Sequence, residues 1–78
     1  MSAKEIEKNF SLSAAFGQYI INHPEILKNI PQNAQIVMGD EKDRTLTRKN
    51  ILLLKMARGG VYQAVRQAKN SWVVRRVK

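Results

Sequence analysis

At 78 residues the chain is long enough for one domain with a thin core and too short for two. It has no cysteine, which removes disulfides and thiolate zinc sites as sources of stability, and its 44% hydrophobic content separates it from disordered chains. Fourteen Lys+Arg against six Asp+Glu give a net charge of +8, and no apolar run approaches the roughly 20 residues that span a bilayer. A single cytoplasmic domain over residues 1–78, with no membrane partner and no cofactor, is the expectation.

The charge is unevenly spread. Residues 1–43 carry four lysines and all six acids, a balance of −2. Residues 44–78 carry four lysines, six arginines and no acid, a balance of +10. Such asymmetry points to a polyanionic partner, nucleic acid first and an acidic protein or membrane surface second. A solubilising surface is the plain alternative. A core this thin also leaves room for a supporting homodimer.

Residues 4–22 predict an amphipathic helix. Ile6, Phe10, Ser13, Gly17 and Ile20 repeat at helical spacing, flanked by Ala14 and Ile21, and set the expected core face. Lys4, Glu7, Lys8, Ser11, Gln18 and Asn22 fall opposite. Gly17 in the apolar stripe suits the close approach of another backbone. Pro24 ends this helix and suits the first turn of a short second one, Pro24 to Asn29. Ile30-Pro31-Gln32-Asn33 is a turn, and residues 34–38 are a short apolar strand closed by Gly39. A polar loop, residues 39–43, follows. Asp43 or Thr45 then caps a helix that runs to about Arg58, where Gly59-Gly60 stops it.

The tail admits two readings. Val61, Val65, Ala68 and Trp72 fit a helical stripe; alternatively 61–67 and 71–77 are strands joined at 68–70, with Asn70 suited to a left-handed turn. The valine and aromatic content favours the hairpin. The fold expected is therefore α+β, in the order α-α-β-α-β-β, with a small three-stranded mixed sheet packed against two to three helices. Its first two strands pair in parallel across a crossover, and the last lies antiparallel beside the second.

The string Glu7-Lys8-Asn9, then Leu12-Ser13, Phe16, Tyr19, His23-Pro24-Glu25, Ile30-Pro31 and Ala34-Gln35-Ile36-Val37 resembles a family of short bacterial and archaeal proteins catalogued as a domain of unknown function. The likeness covers the first half and reaches Arg48-Lys49-Asn50 in the third helix. It implies the helix–strand order and no activity. Family members are similar in size to small antitoxins, which is analogy alone.

Enzyme signatures are missing. His23 is the only histidine, so no His pair can hold a metal, and no serine sits in a Gly-x-Ser-x-Gly setting. Asp40, Glu41 and Asp43 have a magnesium-binding reading, but acids also favour the start of a helix through its dipole. No metal or catalytic residue is assigned, and the chain is expected not to be an enzyme.

The basic elements say more. Arg44, Arg48, Lys55 and Arg58 fall within an arc of about 80° on the third helix, with Ile51 among them. In the hairpin, a loop at 68–70 puts Val61, Val65, Val73 and Val77 on one face, with Gln63 opposite Arg75. Tyr62 opposite Arg76, Ala64 opposite Val74 and Arg66 opposite Trp72 occupy the other. The valines form the expected core. The aromatic–arginine face is then either a platform for unpaired bases or a buried tryptophan shielded by arginines. These features give a non-enzymatic module for RNA or single-stranded DNA using Arg44, Arg48, Lys55, Arg58, Tyr62, Arg66, Lys69, Trp72 and Arg76. The alternative is an antitoxin-like module that docks on an acidic protein.

Overall fold

A computed structural model describes residues 1–54 and 59–77. The first helix, α1 (Ala3–Asn22), begins at a capping box. Ser2 Oγ accepts from the Glu5 amide at 3.2 Å, and the Ser2 amide donates to Glu5 Oε1 at 3.0 Å, which satisfies two amides the helix leaves open. It stops at His23, whose amide closes on Tyr19 O and Ile20 O just before Pro24. The predicted second helix is present as a 3-10 turn, Pro24–Asn29.

The sheet has the expected topology. β1 (Gln35–Asp40) pairs in parallel with β2 (Val61–Arg66), which pairs antiparallel with β3 (Trp72–Arg76). Strand order is β1-β2-β3. The helix α2 (Arg44–Leu53) connects β1 and β2 and lies against β1. Asp43 caps it by accepting from the Leu46 amide at 3.1 Å. The expected extension of this helix over 55–58 lies outside the described residues.

The tail is the hairpin, with the register expected of it: Tyr62 opposite Arg76, Gln63 opposite Arg75, Ala64 opposite Val74, Arg66 opposite Trp72. The short loop is a 3-10 turn in which Lys69, not Asn70, takes the left-handed conformation, with φ 63°. β1 also runs further than the expected 34–38. Gly39 and Asp40 continue the ladder opposite Val65 and Arg66, and the loop shrinks to residues 41–43. The extension holds because the amide and carbonyl of Asp40 both bond the Thr47 hydroxyl, at 2.8 and 3.0 Å. Gly39 lets α2 come this close. A Cβ there would lie 3.0 Å from Gln63 Nε2 and from Thr47 Cγ2.

Two expected faces are corrected. The core is not the valine face of the hairpin but the opposite one. Trp72 is 6% exposed and packs on Phe16 with ring centroids 5.1 Å apart, in a cluster with Leu12, Leu46 and Ala64. This face carries the largest side chain of the hairpin, and α1 brings Phe16 and Leu12 to cover it. On α1 the buried stripe is Leu12 and Phe16, with Ala15, Tyr19 and Ile20 packed beside them. Ile6, Phe10, Ser13 and Gly17 are exposed. Lys8 shares the buried side, one turn before Leu12, and that charge disguised the core face in the sequence pattern.

The valine face is only partly covered. Val61 and Gln63 are buried, whereas Val73 and Arg75 on β3 are exposed. Gln63 is satisfied in its burial: Nε2 donates to Thr47 O at 3.0 Å and Met38 O at 3.3 Å, and Oε1 accepts from Arg75 at 3.4 Å.

Candidate functional site

Between α2 and the uncovered half of this sheet face lies an open groove of about 420 Å³. Arg44, Thr47, Arg48 and Ile51 of α2 form one wall. Val65, Gln67 and Arg75 form the other, with Asp40 and Glu41 at one end. Three guanidinium groups thus rim a floor that is partly apolar, through Ile51 and Val65. Arg44 and Arg48 are both exposed and stand one turn apart, and among the described residues no ion pair holds either. Arg75 is steadied from below by its bond to Gln63.

A second cleft, about 250 Å³, adjoins the first through Asp40 and Gln67 and is lined by Lys42, Arg66, Ala68 and Lys69. Arg66 is not free to leave it, because its guanidinium donates to Asp40 Oδ2 at 2.9 Å. Lys69 is exposed at the tip of the hairpin turn.

Two of the carboxylates near the groove, Asp40 and Asp43, are structural, whereas Glu41 is exposed. Asp40 is buried at 5% exposure and meets Arg66 at 2.9 Å, Lys8 at 3.4 Å and the Lys42 amide at 3.0 Å. Burial alone would raise its pKa. The Lys42 amide, the Arg66 guanidinium and the Lys8 ammonium together outweigh that and hold it below the ordinary carboxylate value. Asp43 is also held low, by the Leu46 amide it caps and then by Lys8 at 3.2 Å. Lys8 therefore ties α1 to both ends of the β1–α2 loop. Among the described residues no three His, Cys, Asp or Glu side chains gather as a metal site, and no helix is long and apolar enough to cross a membrane.

The predicted interface residues separate into groups. Arg44 and Arg48 rim the groove, and Arg66 and Lys69 line the adjoining cleft. Tyr62, Trp72 and Arg76 belong to the sheet face that α1 covers; Trp72 is buried there, so it offers no stacking surface for a base, and Tyr62 is half-buried. Lys55 and Arg58 lie outside the described residues. Arg75 was missing from the predicted set. Its signal was legible, since an arginine opposite a glutamine in a face of valines argues against that face being the core.

The fold and groove define a small α+β domain with an arginine-rimmed cleft beside the helical crossover between β1 and β2. A family model described as a family of unknown function (DUF5647) matches residues 4–75, and the chain belongs to that family. The match bears out the resemblance seen in the first half of the sequence and extends it through the hairpin. No curated protein and no solved structure matches the chain.

Proposed function

We propose that the chain is a non-enzymatic module that binds RNA or single-stranded DNA in the groove between α2 and the hairpin. The observation that carries this reading is the convergence of Arg44, Arg48 and Arg75 on one open groove with an apolar floor. Guanidinium groups bond phosphate oxygens in pairs and also stack on bases, so they replace the aromatic platform that the burial of Trp72 removes. A cleft bounded by one helix and one hairpin suits a single strand better than the broad surface of a duplex.

Fluorescence anisotropy with labelled single-stranded and duplex oligonucleotides tests this. On single strands the logarithm of affinity should fall with the logarithm of salt by about 0.7 for each phosphate contact. Arg44→Gln/Arg48→Gln should reduce that slope by about 1.4 and weaken binding to all sequences alike. No binding at about 50 mM salt, where nonspecific attraction is strong, would sink the proposal and assign the groove to an acidic protein.

A further inference from the structure

The stripe on α1 that the sequence pattern marks as a core face is left bare by the fold. Phe10 is 72% exposed and Ile21 71%, and Ile6 is also exposed. Ser13, Ala14 and Gly17 lie among them, all exposed, within an arc of about 100° centred about 130° around the helix from Leu12 and Phe16. A helix in a monomer has no use for a second, uncovered apolar face. We propose that this second face is the contact between two copies of the chain, paired antiparallel through α1.

Shape, charge and area all favour a second copy. Ile6, Asn9, Phe10 and Ser13 line a shallow groove of about 190 Å³ on this face. Their spacing, i, i+3, i+4 and i+7, is that of the four-residue hole that receives a knob from a facing helix. Ile21 of a second copy, set into that groove with the helices antiparallel, brings Ser13 of each copy against Gly17 of the other. The smallest side chains then meet where the two backbones come closest, and a Cβ at Gly17 would touch nothing within 4 Å in the isolated chain. The same register lays Phe10 of each copy over Gly17 and Ile20 of the other, so both seats fill at once, as a twofold contact requires.

The charge argument excludes strongly charged partners. α1 carries two lysines and two glutamates, and Glu7 is the one charged side chain bordering the stripe. In a chain of net charge +8 this is a neutral surface, so two copies that repel elsewhere can meet here. The exposed stripe amounts to on the order of 400 Å² per copy, and a pair would bury on the order of 800 Å², below the range of permanent complexes and within that of weak ones. The dimer is therefore concentration-dependent.

Sedimentation equilibrium from about 5 to 500 µM tests it, at salt high enough to screen the net charge. The wild type should pass from monomer to dimer across this range. Phe10→Glu should weaken association by at least about 30-fold, as loss of a central aromatic does, and leave the circular-dichroism melt at the lowest concentration unchanged. Because the chain has no cysteine, register can be read directly. An equimolar mixture of Ser13→Cys and Gly17→Cys chains should oxidise to the mixed dimer in preference to either symmetric one. A wild type that stays monomeric at the highest concentration overturns the proposal, as does dimerisation of Phe10→Glu at wild-type strength. Predominance of the symmetric disulfides overturns the antiparallel pairing.

Discussion

Asp40 ends β1 where α1, β2 and α2 meet, and its carboxylate is bonded by Lys8 of α1, Arg66 of β2 and the Lys42 amide of the loop. Such a group stabilises the fold only while it is charged. Its folded pKa is depressed below the usual 3.8, as is that of Asp43, and Glu5 is lowered from 4.5 to about 2 by the Ser2 amide and then by Lys49. Depressed carboxylates contribute stability that is complete above their unfolded values and is lost as pH falls through the folded ones. Stability should therefore hold from neutral pH down to about 4 and decline from there toward about 2. Asp40→Asn should cost about 1–3 kcal/mol at pH 7, the worth of its charged hydrogen bonds, and the gap should narrow by pH 3. Urea unfolding at the two pH values measures it; an equal gap at both would show that shape rather than charge is at stake. The sequence placed the three acids beside the start of α2, and for Asp43 that reading was sufficient. The partner of Asp40 was hidden, because Arg66 is 26 residues away and reaches it only through the parallel register of β1 with β2.

Between elements, the junction of α1 with α2 is made by polar side chains. Asn9 and Asn50 exchange amide hydrogen bonds at 3.0 and 2.8 Å, and Asn50 donates again to Met38 O at 2.8 Å. Lys49 reaches Glu5 at 2.9 Å on the exposed side of the same seam. Asn50 is buried, so truncating it strips Asn9 Oδ1 of its donor and leaves the Met38 carbonyl with only the longer side-chain bond from Gln63. Asn50→Ala should cost about 1–3 kcal/mol and Asn9→Ala less, with a coupling of at least about 0.5 kcal/mol in the double-mutant cycle. Strict additivity would mean that the two amides hold the elements separately. The strings Glu7-Lys8-Asn9 and Arg48-Lys49-Asn50, which carry the family resemblance, are the ones that meet here. Nothing in either string announces the contact, since hydrophobic periodicity is blind to polar seams. The hairpin register was fully legible, because a short loop fixes which residues oppose each other. Which face of it is buried was not, because that depends on where α1 lands.

Across the whole molecule, four of the six acids are spent within the fold while Arg44 and Arg48 at the groove are not. Glu5, Asp40 and Asp43 pair with Lys49, Arg66 and Lys8, and Glu25 meets His23. Arg44 and Arg48 gain no such contact and stand close enough to repel each other across one helical turn. Arg44 is also badly placed for α2, as it is the first residue of the helix, where the macrodipole is positive and no acid follows in the first turn. Both residues thus oppose the isolated fold, a cost in keeping with the anion site proposed above. The double variant Arg44→Gln/Arg48→Gln should therefore be more stable than the wild type, by about 0.3–1 kcal/mol from the dipole alone. The gain should be largest at low ionic strength and shrink at about 0.5 M salt, where the charges are screened. Arg75 is left out of this variant because its removal would strip Gln63 Oε1 of its partner. Thermal melts at low and high salt measure the effect. A variant that is less stable than the wild type would show that these arginines hold the fold together. Stabilisation accompanied by loss of oligonucleotide affinity would show that the same charges oppose folding and favour binding.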